Sequence, residues 1–282
     1  MNILFIVLRS VEINSSTSIW NNAVINGLIQ NGHSVDVLTL PADKNHSNYD
    51  ESLTNKKCNI IEIRTSSVQK IANIARKNKL TNKIRGIAYH IRKDFQVYDI
   101  GSSYINSIDN IKLKDEKYDL MISSSDPKSS HLFGLEYKNK RNSTIPWIQL
   151  WSDPFVGDIT SNSNWMKRKI RKEEEKLLNQ ATKIIYISEL LKNDRAKLYP
   201  KSAKKMFFYP IPFLEPRVGK SEKKGELTFV YCGDYFSKVR DITPLYEAIR
   251  ESNHRLIICG NSDVKLKETP NIKIYPRVSY QK

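Results

Sequence analysis

The opening residues, MNILFIVLRS, constrain the fold more than any other stretch of the chain. Ile3 to Leu8 is an apolar run of strand length, closed abruptly by Arg9. No cationic residue precedes it, and it is too short for a signal-peptide core or a membrane span. It reads as a parallel strand buried on both faces. A polar loop, RSVEINSSTS, follows, then a helical pattern through IWNNAVINGLIQNG. Gly32 suits the position just past a helix end, where left-handed backbone is common. HSVDVLTL supplies a second strand. Strand, helix and strand in this order make a βαβ unit, which implies a parallel sheet with right-handed crossovers.

The alternation continues. YDLMISSSDP gives a strand over Asp119–Ser123, SSHLFGLEYKNK a helix, and IPWIQLWSDPF a strand ending in a loop. KRKIRKEEEKLLNQATKIIYISELLKNDRAKLY reads as helix, strand and helix, with KIIYIS as the strand. Glu173, Glu174 and Glu175 sit among lysines and read as a solvated helix face laced with i,i+4 pairs. Proline and charge cluster over Tyr209–Glu226, the natural place for a linker. A second βαβ pattern then begins: strand 227–232, helix about 244–251, strand 255–259 and a short strand 272–275. The expected class is α/β, with residues 1–208 as one domain, 209–226 as linker and 227–282 as a second, partial domain. At 282 residues, two domains fit the length.

Charge bounds the partners. The formal net charge is +16, which points to a polyanion: nucleic acid, an anionic membrane face or phosphorylated small molecules. A lysine-rich surface set by overall composition is the plainer explanation. Eleven Lys/Arg and one acid, Glu62, fall between Lys56 and Lys93. Leu80, Ile84, Ile87, Ala88, Ile91 and Phe95 recur at helical spacing there, so one face is apolar and the other carries Lys79, Lys83, Arg85, Arg92 and Lys93. Such a helix either lies on an anionic bilayer or packs its apolar face on the domain. No helix-turn-helix, zinc or RNA-binding signature accompanies the charge, so a nucleic-acid partner is not expected. Cys58, Cys232 and Cys259 are too few and too scattered for a disulfide framework and lack metal-ligand spacing, which fits a reducing cytosol.

Three places carry chemistry. In FVYCGDYFSKVRD an apolar strand ends at Gly233, and Lys238 and Arg240 close the loop, a pattern suited to an anion such as phosphate. Thr243 can cap the following helix and Pro244 suits its first turn. A plain β-turn with solvated cations is the alternative. Asp153 follows a strand end, where it either faces a cleft or simply caps the turn before Pro154. His131 lies early in a helix and is either catalytic or structural.

In this order, these segments resemble the GT-B glycosyltransferases, especially glycosyltransferase family 4. GHSVDVLT looks like the family's opening, and YDLMISSSDPKSSHLFGL followed by IPWIQLWSDPF is similar to the middle of members that build surface polysaccharides. EEKLLNQATKIIYIS, TFVYCGDYFSKVRDITPLYEAI and HRLIICGNSD resemble later family segments, so the likeness covers nearly the whole chain. It implies two facing Rossmann-like domains, the first for the acceptor and the second for a nucleotide-activated sugar. Sugar transfer would proceed with retention of configuration, without metal and with no cofactor beyond the nucleotide-sugar donor. Gly233 and Arg240, with Lys238 second, would meet the donor diphosphate. Asp153 or His131 would lie near the acceptor or sugar.

The paired glycines that many members carry in the first loop are absent here. Ser15, Ser16 and Thr17 instead offer helix capping and hydroxyls. The acceptor would be lipid-linked or polysaccharide, and the protein would sit on the inner, anionic face of the plasma membrane. Active members also carry two glutamates eight positions apart in the second domain, and no glutamate here has another eight residues on. The resemblance therefore implies a chain shortened at its C-terminus and inactive alone. The alternative is a non-catalytic remnant, or a membrane- or partner-binding protein that uses its first domain.

Overall fold

A computed structural model describes residues 1–55, 57–63, 96–113, 115–157, 164–214, 225–237 and 240–280. The cationic positions Lys79, Lys83, Arg85, Arg92 and Lys93, and also Lys238, lie outside the described residues. The chain divides into two compact units, Met1–Glu215 and Pro216–Lys282.

In unit 1 the strands are β1 (Asn2–Val7), β2 (Ser34–Thr39), β3 (Asn59–Glu62), β4 (Leu120–Ser124), β5 (Trp147–Trp151), β6 (Lys183–Tyr186) and β7 (Met206–Phe208). They form one seven-stranded sheet in the order β3-β2-β1-β4-β5-β6-β7. Every neighbouring pair is parallel. Among the described residues the α-helices are α1 (Ser16–Gln30), α2 (Ser129–Lys140), α3 (Asn164–Gln180) and α4 (Glu189–Leu198), and the longest 3-10 helix spans Ile100–Asn110.

Strand alternation divides the core in two. Leu4, Ile6 and Leu8 join Met121, Phe133, Trp147 and Trp151 in one cluster. Ile3, Phe5 and Val7 join Trp20, Ile25, Val35 and Val37 in the other. A strand covered on both faces needs apolar residues at every position, which is why β1 reads as an unbroken run. The order reverses between β3 and β4, so the loops after β1 and β4 diverge and leave a crevice at the C-terminal ends of those strands.

Unit 2 holds β8 (Thr228–Cys232), β9 (Arg255–Cys259) and β10 (Ile272–Tyr275), parallel in the order β10-β9-β8, with α5 (Thr243–Arg250). Tyr246 and Ile249 of α5 pack with Leu256, Ile258 and Ile272. Thr228, Phe229, Val230 and Cys232 of β8 are exposed.

Two local expectations need correction. Glu174 is fully buried rather than solvated. It shares the inner stripe of α3 with Met166, Ile170, Leu177 and Leu178, because residues four apart fall on one helix face. In unit 2 the capping group is Asp241, whose Oδ1 accepts from the Thr243 N–H (2.9 Å), not the Thr243 hydroxyl. The carboxylate reaches the backbone donor two residues on, an Asx turn.

Candidate functional site

At the unit 1 crevice the first loop is tied down from several sides. The Leu8 N–H donates to Ser130 Oγ (3.0 Å) and Thr39 Oγ1 donates to the Arg9 carbonyl (2.8 Å). Asn22 Nδ2 donates to the carbonyls of Val11 (3.0 Å) and Leu53 (3.3 Å). Ser15 is the N-cap of α1, and its Oγ accepts from the Ser18 N–H (3.2 Å). Its side chain therefore serves the helix, whereas Ser16 is exposed and Thr17 half-buried beside it. A cavity of about 160 Å³ opens past the ends of β1, β2 and β3, lined in part by Ser10, Glu12, Thr39, Thr54 and Glu62.

The loop after β4 reaches α2 through Lys128, which is nearly buried. Its Nζ donates to Asp126 Oδ1 (2.6 Å) and to the Asp153 carbonyl (2.9 Å), and it lies 5.6 Å from the Trp151 ring centroid. Asp153 itself is exposed, and its Oδ2 accepts from Ser152 Oγ (3.1 Å). His131 is fully buried beneath the crevice. Trp147 Nε1 donates to Ser123 Oγ (2.8 Å), and that hydroxyl pairs with His131 Nδ1 (2.7 Å). The imidazole stacks on Trp151 at 4.2 Å between ring centres. Burial, with the Lys128 charge adding to it, pushes His131 well below its ordinary range against an opposing interaction with the Leu150 backbone, so it stays neutral.

The loop bearing Asp153 is held at its far end too. Glu174 Oε2 accepts from the Val156 N–H (2.9 Å) and from the Tyr199 hydroxyl (2.9 Å), while Arg195 Nη1 donates to the Val156 carbonyl (2.9 Å). Both backbone groups of Val156 are thus taken by side chains, buried Glu174 and half-buried Arg195. Burial raises the Glu174 carboxyl, and Val156, Arg195 and Tyr199 only partly offset it. Asp99 tethers the start of α2: its Oδ1 accepts from Ser129 Oγ (2.6 Å) and its Oδ2 from the Ser129 N–H (3.1 Å). Sequence reading missed Lys128, Glu174 and Asp99. For Glu174 the signal existed in the spacing of α3, but Asp99 acts across 30 residues and left no local trace.

In unit 2, Gly233 has φ +152°, a conformation that side chains rarely adopt. Its N–H donates to the Cys259 carbonyl (2.9 Å), so the turns after β8 and β9 touch. A Cβ on Gly260 would lie 1.9 Å from the Gly233 carbonyl oxygen. Asp234 Oδ1 accepts from the Asn261 N–H (3.0 Å), and its other oxygen pairs with Arg277. Phe236 and Arg240 exchange backbone hydrogen bonds (3.2 and 3.0 Å). The Arg240 side chain is exposed and has no ion-pair partner among the described residues. The structure therefore brings Gly233 and Arg240 into one small loop, anchored by Asp234 and by Asp263, which accepts from the Ser237 N–H (3.1 Å). Among the described residues, no three His, Cys, Asp or Glu side chains converge as metal ligands, and no helix is long and apolar enough to cross a membrane.

No family model matches the chain, and no curated protein matches it in sequence. Solved structures do match. Sucrose-phosphate synthase from Thermosynechococcus elongatus aligns over 100% of this chain and 71% of its own, at 14% identity and TM-score 0.57. Anabaena HepE, solved with UDP and glucose, aligns over 99% and 70%, at 10% identity and TM-score 0.52. S. aureus TarM, solved with fondaparinux, α-GlcNAc-glycerol and UDP, aligns over 98% and 77%, at 9% identity and TM-score 0.53. These neighbours are GT-B glycosyltransferases. At such identities the likeness is one of architecture: the chain has a GT-B-like α/β fold, with a Rossmann-like parallel sheet in each unit.

Proposed function

We propose that the protein is a glycosyltransferase that moves a sugar from a nucleotide-sugar donor to a lipid-linked or polysaccharide acceptor, with retention, in the manner of glycosyltransferase family 4. The observation that carries this reading is the alignment of both units, over 98–100% of the chain, with glycosyltransferases. In this reading the acceptor enters at the crevice of unit 1, where Asp153 stands exposed on a loop pinned by Lys128, Glu174 and Arg195. The donor diphosphate meets the Gly233–Arg240 loop. As the glycosidic bond breaks, negative charge grows on the departing nucleoside diphosphate. The exposed Arg240 guanidinium, whose fork can grip two phosphate oxygens, stabilises it. No metal takes part, and the protein works from the cytoplasmic side of the membrane.

Titration calorimetry of the chain with nucleoside diphosphates tests the donor half of this reading. The expected result is measurable binding that Arg240→Ala weakens by about tenfold, equivalent to about 1.4 kcal/mol. Absence of binding by every common nucleoside diphosphate, together with no sugar transfer from any nucleotide-sugar, would overturn it. The net charge of +16 favours a second reading, a membrane-binding protein. Salt-sensitive co-sedimentation with anionic but not neutral vesicles, in a chain that binds no nucleotide, would establish that reading instead.

A further inference from the structure

Cys232 and Cys259 are the last residues of β8 and β9, and they stand opposite each other in register. In-register residues of adjacent parallel strands project to the same face, and neighbouring strands lie about 4.7–4.9 Å apart. That spacing falls inside the Cα–Cα window of disulfides, about 4.4–6.8 Å, toward its short end. The backbone is fixed where the pair sits: the Gly233 N–H donates to the Cys259 carbonyl, and the Gly260 backbone lies against that of Gly233. Cys232 is exposed and Cys259 half-buried, so both are reachable by small reagents. Cys58, the third thiol, belongs to unit 1 and donates to the Asn55 carbonyl (3.6 Å).

We propose that Cys232 and Cys259 form a reversible disulfide, a redox modification site at the C-terminal edge of the unit 2 sheet, with hydrogen peroxide as oxidant. The Cys232 thiolate attacks the peroxide, breaks its O–O bond and becomes a sulfenic acid, while the departing hydroxide takes a proton and leaves as water. The Cys259 sulfur then attacks the sulfenic sulfur, forms the S–S bond and releases a second water. Two thiols are oxidised and one peroxide is reduced to two waters. Burial, with the neighbouring Cys232 thiol adding to it, raises the Cys259 thiol, which leaves exposed Cys232 as the first to react. A bond open to solvent at the exposed Cys232 is the kind that is readily reduced, which suits a labile modification rather than a permanent staple. It would join the two turns that already touch at Gly233 and Gly260.

Intact mass spectrometry and thiol counting on the full chain, before and after hydrogen peroxide at low protein concentration, test the proposal. The expected product is a monomer lighter by two hydrogens, with free thiols falling from three to one and restored by dithiothreitol. Cys58→Ser should still lose two hydrogens, whereas Cys232→Ser and Cys259→Ser should not. Peptide mapping of the unaltered chain, which depends on no variant folding, should recover a Cys232–Cys259 linked pair. Oxygen addition alone, a disulfide-linked dimer, a bridge through Cys58 or three persistent thiols would each overturn it.

Discussion

β1 and β8 are close to interchangeable as sequences. NILFIV and TFVYC are both short apolar runs followed by a polar loop, and each starts a βαβ pattern. Their surroundings could hardly differ more. Ile3 to Val7 are buried without exception, between helices on one side and the second core cluster on the other. In β8, Phe229 is 38% and Val230 61% exposed. The difference lies in position within the sheet. β1 has strand neighbours on both sides, β2 and β4, while among the described residues β8 pairs only with β9. An apolar run therefore announces a strand, and its burial is set by what the rest of the chain places against it.

The contrast can be broken most directly by truncating the same side chain in each strand. Phe5→Ala should cost about 3–5 kcal/mol, as large-to-small changes in closed cores do. Phe229→Ala should cost about 1 kcal/mol or less. All four tryptophans (Trp20, Trp147, Trp151 and Trp165) lie in unit 1, so urea unfolding followed by their fluorescence reads that unit alone. Hydrogen exchange over 225–280 reads the other. Equal losses in the two strands would end the comparison.

A smaller effect sharpens it. Unit 2 has a smaller core than unit 1 and a tight contact between the Gly233 and Gly260 backbones. Gly260→Ala should lower the protection of β8 and β9 by about 1–3 kcal/mol, as overpacking does, and leave tryptophan unfolding unchanged. Unchanged protection in β8 would mean that the turn is softer than its geometry implies.

The smallest effects separate the ion pairs. In unit 1, Asp36 is buried and accepts from Lys117 Nζ (2.7 Å) and the Tyr118 hydroxyl (2.6 Å). Burial alone would raise its pKa, but these hydrogen bonds outweigh it and the carboxyl is held below its ordinary value. The native state thus binds fewer protons than the unfolded state between the two pKa values. The resulting stability is present above the unfolded pKa and is lost as pH falls through the folded one. Asp36→Asn should cost about 1–2 kcal/mol at neutral pH and progressively less in acid, visible as a flattened acid limb of stability against pH. Glu247→Gln, which breaks the exposed Arg250 pair of unit 2 (2.7 Å), should cost about 0.5 kcal/mol or less. A pH-independent cost at Asp36 would remove the linkage argument.

Legibility followed locality. β1, β2 and β9 stand within a residue of where periodicity puts them, because each carries its own apolar pattern, while α1 begins at Ser16, three residues before its apolar pattern, because Ser15 caps it. β3 and β7 carry too few residues to announce themselves, NIIE and MFF, and exist because a neighbouring strand pairs with them. The 3-10 helix at Ile100–Asn110 has a mixed composition and gave no pattern to read. Within the candidate site, Gly233 and Arg240 were visible because a turn and its cation lie in one loop. Lys128 was not, since its value comes from Asp153 and Trp151, both more than twenty residues away. Glu174 looked solvated because charge-run reasoning considers adjacent residues, whereas the buried stripe of α3 runs through every third or fourth.

The sequence by itself determined the α/β class, the parallel character of both sheets and the turn that joins Gly233 to Arg240. These follow from short-range periodicity and turn chemistry, which a chain carries before it folds. Only the tertiary structure decided that His131 is a neutral core residue against Trp151, and that buried Lys128 and Glu174, with half-buried Arg195, brace the Asp153 loop. It alone set Cys232 opposite Cys259. Desolvation and register depend on partners distant in the chain, so no local pattern could have encoded them.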